Sequence, residues 1–291
     1  APLLLLLTVL AVAPTIAAAA EALPGSLPGS PIAKVSLVAD AEAIAAGVPF
    51  TLAVRLQLLA GWHTYWSNPG EAGAPTHVEW RLPEGFTIAP LAWPIPERFS
   101  SGSIVSYGYT GDVWLSARIT PPVALSPGTM VPLAAAVDWL ACAEICVPEQ
   151  AEVTLTLPVV AEEATMARPA APAIARAFAV AAAQVPLPVQ APLVVSRQDG
   201  AIVVAISSLD AATAATAPSS GAVTGAWFFP DAFGQIDDAA PQTLERGADG
   251  LRLRLVRPAN VASVPPDLSG VLVLERTTGR IGYTVRAPAP S

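Results

Sequence analysis

Only two cysteines occur in the 291 residues. They stand with three residues between them in the stretch Asp138-Trp139-Leu140-Ala141-Cys142-Ala143-Glu144-Ile145-Cys146-Val147-Pro148-Glu149-Gln150. Such a pair suits thiol-disulfide exchange: an outside thiolate attacks one sulfur, a mixed disulfide forms, and the neighbouring thiol resolves it. In a regular helix the Cβ atoms of i and i+4 lie about 5–6 Å apart, wider than the roughly 3.5–4.5 Å of a disulfide. A bent connection between strands closes that gap. The competing reading is an inert staple, but closing a ring of five residues contributes only about 2 kcal/mol, against about 4.7 for a hundred-residue loop. A sandwich of more than 100 residues does not need so weak a tie. Asp138, Glu144 and Glu149 crowd the pair, and nearby carboxylates disfavour a thiolate. That suits a carrier that reacts only when docked, although three acids in a solvated loop have the same pattern.

Other residues offer chemistry around the same pair. His63 and His77 with Cys142 and Cys146 make a sound His2Cys2 set for copper or zinc, but their spacing forms no metal motif. Trp62, Tyr65, Trp66, Tyr107, Tyr109, Trp139 and Pro148 are candidates to shield the sulfurs or to dock a partner, with core packing as the alternative for each aromatic ring. No cofactor is implied. Both Cys, both His, six of seven Trp and three of four Tyr fall between Trp62 and Cys146. Function therefore belongs to the first half, and the second reads as a spacer or a docking surface.

The elements that must position these residues read as strands. The apolar share of 53 % comes largely from Ala and Val, which weakens helix propensity as a guide, so alternation and turns weigh more. Lys34 to Ala39 alternates; Phe50, Leu52, Val54, Leu56 and Leu58 make one apolar face opposite Thr51, Arg55 and Gln57; Val153, Leu155 and Leu157 oppose Glu152, Thr154 and Thr156. Further short strands are expected at His77 to Leu82, Val113 to Ile119 and Val131 to Trp139, so that the cysteines sit in the connection between two strands and the aromatic clusters in other connections. The fold class is all-β, two immunoglobulin-like β-sandwich domains joined by a linker with one short helix. The boundaries are 34–158 for the redox-active sandwich, 159–190 for the linker with its helix at Ile174 to Gln184, 191–286 for the second sandwich, and 287–291 for a tail. Turns are expected at Gln198-Asp199-Gly200, Asp249-Gly250 and Thr277-Thr278-Gly279-Arg280.

Residues 1–20 read as an incomplete secretory signal, an apolar run ending in small residues, followed by a Pro/Gly/Ser leader over 21–33. Export puts the cysteines in an oxidising compartment. A formal net charge of −8 with 15 scattered basic residues gives no basic patch for a phosphate backbone, so nucleic acid is excluded as a partner.

Several pieces resemble the periplasmic N-terminal domain of DsbD-type thiol:disulfide interchange proteins, and more closely its variant in ScsB-like suppressor-of-copper-sensitivity proteins. They are Gly61-Trp62-His63-Thr64-Tyr65-Trp66-Ser67-Asn68-Pro69-Gly70, Trp93-Pro94-Ile95-Pro96, Tyr107-Gly108-Tyr109, and Asp138-Trp139-Leu140 through Cys142, Cys146 and Pro148. In the second half, Phe228-Phe229-Pro230 and Ala239-Ala240-Pro241-Gln242 join them. The resemblance implies a periplasmic protein-disulfide reductase whose cysteine pair takes electrons from a membrane electron-conduit protein or domain and passes them to periplasmic thioredoxin-like proteins. It also implies that Cys146 forms the mixed disulfide and Cys142 resolves it. The better known DsbD domain has five residues between its cysteines, so its loop residues do not transfer here. A membrane tether is expected if the protein continues beyond Ser291. The alternatives are a periplasmic copper-binding or copper-resistance protein and a structural sandwich with an inert disulfide.

Overall fold

Strand residues alternate between two faces, and the first half of the chain follows that rule into two facing sheets. In the computed structural model the described residues are 31–161, 168–189, 193–198, 201–206, 222–247, 250–259 and 267–288. The expected signal, the leader up to residue 30, linker residues 162–167 and 190–192, Asp199, Gly200, Asp249 and residues 289–291 lie outside them. The strands of the first half are β1 (Ala33–Ala39), β2 (Ala41–Ala43), β3 (Phe50–Leu58), β4 (His63–Gly70), β5 (His77–Arg81), β6 (Thr87–Ile88), β7 (Glu97–Ser101), β8 (Ile104–Thr110), β9 (Asp112–Thr120), β10 (Met130–Cys142) and β11 (Cys146–Pro158). One sheet runs β1-β3-β9-β6 and the other β11-β10-β4-β8-β7, with β5 also paired to β10. Their inward residues, among them Leu52, Val54, Leu56, Leu115, Ile119, Leu133 and Val137, are almost wholly buried.

The stretches β4, β7 and β8 correct the expectation that the aromatic clusters lie in connections. Strands β4 and β8 are covered on both faces, with Thr64, Tyr65, Trp66, Val105, Tyr107 and Tyr109 all buried, whereas β7 is a largely exposed edge strand. Where both faces are covered the polar half of the alternation disappears from the sequence.

In the linker, β12 (Arg168–Pro169) pairs with β2, and helix α1 spans Pro172–Ala182. The helix starts two residues before the expected Ile174 because Pro172 fits its first turn, where no N–H is required. The second half comprises β13 (Leu187–Pro188), β14 (Leu193–Gln198), β15 (Ala201–Ile206), β16 (Val223–Pro230), β17 (Thr243–Gly247), β18 (Gly250–Leu255), β19 (Asp267–Arg276) and β20 (Gly279–Pro288). They form the sheets β13-β20-β19-β16 and β14-β15-β18-β17. The hairpins β14-β15, β17-β18 and β19-β20 fall at the three expected turns. The protein is thus all-β with immunoglobulin-like sandwiches, with one short helix among the described residues.

The second half packs into the core of the first. Phe229, Val271 and Val273 belong to the same apolar cluster as Trp66, Tyr107 and Ile95 of the first half, and residues 31–291 form one compact unit. The Phe229 ring meets Tyr107 edge-on at 5.2 Å and Trp66 at 6.4 Å. The Asn68 side chain donates to the Pro230 carbonyl (2.7 Å), Arg280 to the Pro96 carbonyl (2.7 Å), and the Tyr107 hydroxyl to Asp238 Oδ1 (2.8 Å).

Burial raises the Asp238 carboxyl above its ordinary value, and the Tyr107 hydrogen bond offsets this only in part. A carboxyl raised on folding binds more protons in the folded than in the unfolded state between the two pKa values. Stability contributed by this group therefore falls as pH rises through that window. Asp238→Asn keeps an acceptor for Tyr107 and removes the charge. It is expected to remove that acid-side slope, and thermal melts from pH 4 to 7 read it directly. An unchanged slope in the variant would assign it to other carboxylates.

Candidate functional site

Strands β10 and β11 pair in unbroken register from Met130↔Pro158 to Cys142↔Cys146, so the two cysteines face each other at the turn end of a hairpin. Ala143, Glu144 and Ile145 make the turn, where Ala143 N–H donates to the Ile145 carbonyl (2.9 Å). The sulfurs are joined, with the Cα atoms 4.1 Å apart. Because side chains repeat every second residue, Cys142, Leu140 and Asp138 share one face with Cys146, Pro148 and Gln150.

The two sulfurs have different surroundings. Cys142 is 1 % exposed, whereas Cys146 is open to solvent. The Tyr65 hydroxyl donates to Cys142 Sγ at 3.0 Å and lies 3.8 Å from Cys146 Sγ. Strand β4 places it there, since His63 pairs with Cys142 and brings Tyr65 alongside the hairpin. The Tyr65 ring is packed from below by Gly73, where an added Cβ would stand 2.2 Å from the ring and where φ is +106°. His63 meets Tyr65 edge-on at 5.3 Å and stacks on Phe99 at 4.6 Å. Gly108 is the residue paired with Tyr65, and its backbone lies so close to β4 that an added Cβ would run into the Thr64 carbonyl oxygen. Burial raises the Tyr65 hydroxyl, so it keeps its proton as a donor, and lowers His63, so the imidazole is neutral at neutral pH.

Of the shielding candidates, Tyr65 reaches the sulfurs and Pro148 sits one pair along the same face. Trp66 and Tyr107 point the other way, into the cluster with Phe229. Tyr109 donates to the Pro94 carbonyl at 2.8 Å, Trp139 is buried in the core, and Trp62 packs against it partly exposed. Among the acids, Glu149 accepts from the backbone N–H groups of Ile32 (2.9 Å) and Ala33 (3.2 Å), while Asp138 and Glu144 are exposed. The His2Cys2 set is not gathered: His63 pairs with Cys142 but His77 pairs with Asp138, about 13 Å further along β10. Among the described residues no group of three or more His, Cys, Asp or Glu is arranged to hold a metal. Gly73 and Gly108 carry no chemistry in the sequence, and only their close contacts reveal them.

An all-β sandwich with a hairpin disulfide, one sulfur covered and the other open, defines a domain built for thiol-disulfide interchange. Residues 34–158 match the family described as thiol:disulfide interchange protein DsbD, N-terminal. The solved N-terminal periplasmic domain of ScsB from Proteus mirabilis shares the fold at 16 % identity. Its TM-score is 0.58, covering 91 % of this chain and 96 % of that one. The major pilin subunit of Bacillus cereus, at 8 % identity and TM-score 0.28 over 89 % of this chain and 56 % of its own, is too dissimilar to support any argument. No curated protein sequence matches. No helix among the described residues is long and apolar enough to cross a membrane.

Proposed function

We propose that the protein is a periplasmic protein-disulfide reductase that carries reducing equivalents on Cys142 and Cys146. Its donor is a membrane electron-conduit protein or domain, and its acceptors are thioredoxin-like proteins. The observation that carries this reading is the asymmetry of the pair, Cys146 open and Cys142 covered and hydrogen-bonded by Tyr65.

In the charging step a donor thiolate attacks Cys146 Sγ. The Sγ–Sγ bond breaks, its electron pair goes to Cys142 as a thiolate, and the Tyr65 O–H donates to that sulfur. The donor's second thiolate then attacks the donor sulfur of the mixed disulfide, which leaves the donor oxidised and Cys146 reduced. Discharge reverses the roles. The Cys146 thiolate attacks the acceptor's disulfide and expels one acceptor thiolate. Cys142 then attacks Cys146 Sγ, re-forming the disulfide and releasing the acceptor as a dithiol.

Reducing the pair is expected to cost about 2 kcal/mol of stability and to leave the sandwich folded. Circular dichroism before and after reduction, with mass analysis of alkylated thiols, checks this. Transfer of the two electrons from the reduced protein to an oxidised thioredoxin-like protein tests the function itself. A fold that melts on reduction would make the disulfide a staple and overturn the reading.

A further inference from the structure

A groove lies along the hairpin beside the sulfurs, beginning at the Leu140/Pro148 pair on the face that carries them. From Cys142/Cys146 the shared face of β10 and β11 descends to Leu140/Pro148 and then to Asp138/Gln150, each step about 6.6 Å. Ala74, Pro75 and His77 also line the groove, His77 from β5 beside Asp138 in the same sheet, and its volume is about 460 Å³. An apolar step therefore lies next to the open sulfur, with an acidic step beyond it.

The charge around the groove is of one sign. Between Met130 and Pro158 there are four acids, Asp138, Glu144, Glu149 and Glu152, and neither Lys nor Arg. Glu149 is occupied by two backbone amides and Glu152 by Arg81 (2.6 Å). Asp138 and Glu144 are exposed and take part in none of the ion pairs among the described residues. Uncompensated negative charge thus flanks the reacting sulfur, at the turn on one side and in the groove on the other.

We propose that this groove receives the segment flanking the reactive cysteine of the exchange partner, and that this segment is extended and basic. It places an apolar side chain on Leu140/Pro148 and a Lys or Arg against Asp138, with further basic charge facing Glu144. The proposal rests on Cys146 being the exchanging sulfur. Opposite charge speeds encounter by about 10 to 10³-fold at low salt, and like charge repels wrong partners. The acids thus admit a basic partner and turn away anionic thiols and disulfides.

The test uses the reduced protein and short peptides whose single cysteine is held as a 2-thiopyridyl mixed disulfide. The first peptide has leucine two residues, and lysine four residues, to either side of the cysteine. The second has glutamate in place of lysine, and the third has serine in place of leucine. Attack by the Cys146 thiolate on the peptide cysteine sulfur expels thiopyridone, which is read by absorbance; Cys142 then attacks Cys146 Sγ and frees the peptide thiol. The neutral small disulfide 2,2′-dithiodipyridine reports exchange without docking.

The lysine-leucine peptide is expected to react at least about tenfold faster than the glutamate peptide at low salt, with the ratio collapsing at molar salt. It should also outpace the serine peptide. The double variant Asp138→Asn/Glu144→Gln should lose the charge preference and reduce dithiodipyridine at least as fast as the parent, since removing the carboxylates favours the thiolate. Equal rates for the three peptides beside normal dithiodipyridine reduction, or a preference that survives in the double variant, would overturn the proposal alone. A protein that fails to reduce dithiodipyridine would remove the exchange reading and the groove proposal with it.

Discussion

Phe229→Ala is expected to destabilise the protein by about 3–5 kcal/mol, the range for truncating a fully buried Phe. The side chain is 2 % exposed and meets both Trp66 and Tyr107 edge-on, an arrangement that adds about 0.5–1.5 kcal/mol per aromatic pair beyond area burial. Its backbone is tied on both sides. Pro230 accepts from Asn68 across the two halves, and the Gln242 side chain both accepts from Phe228 N–H (2.7 Å) and donates to the Phe228 carbonyl (2.9 Å). The residue belongs to the second half in sequence and to the first half's core in packing. Its loss should therefore lower one cooperative transition, by roughly 10 °C for a protein of this size. Calorimetry decides: a first half that melts where it did before, beside an early second transition, would contradict the shared core.

Tyr65→Phe is expected to slow opening of the disulfide by a neutral dithiol about tenfold, with little change in melting temperature. The variant keeps the ring on Gly73 and against His63 and removes only the hydroxyl that donates to Cys142 Sγ. Hydrogen bonds to charged groups contribute about 1.5–3 kcal/mol, and a sulfur acceptor takes the lower end, which is about one decade in rate. The bond is worth most when Cys142 leaves as a thiolate, so the effect falls on the exchange step rather than on folding. Removing the donor disfavours that thiolate, and alkylation of Cys142 in the reduced variant should move to higher pH. A rate and a pH profile equal to those of the parent protein would reduce Tyr65 to a cover.

The redox hairpin was legible in the sequence because its evidence is local. Two cysteines with three residues between them followed an apolar run and preceded clean alternation, and the structure places them at the turn end of β10 and β11. The half-exposed strands β1, β3, β9 and β11 were equally readable, because one polar face leaves a period of two. Strands β4 and β8 were not, since one face holds the disulfide cover and the other the second half. Phe228-Phe229-Pro230 could be noticed as a motif, but nothing local says that Phe229 closes a core begun at Trp66 and Tyr107. The cover was half legible. Tyr65 stood among seven candidates, and what singles it out is the closeness allowed by Gly73 and Gly108, contacts that composition and periodicity do not encode.

Mixed-disulfide trapping with two single-cysteine variants tests the relay most directly. Cys142→Ser leaves the open sulfur of Cys146 without its resolving partner, and on mixing with an oxidised thioredoxin-like protein it should accumulate a covalent adduct on a non-reducing gel. Cys146→Ser leaves only the covered sulfur and should accumulate little. Equal adduct from both would remove the division of roles between the cysteines, and no adduct from either would contradict the relay.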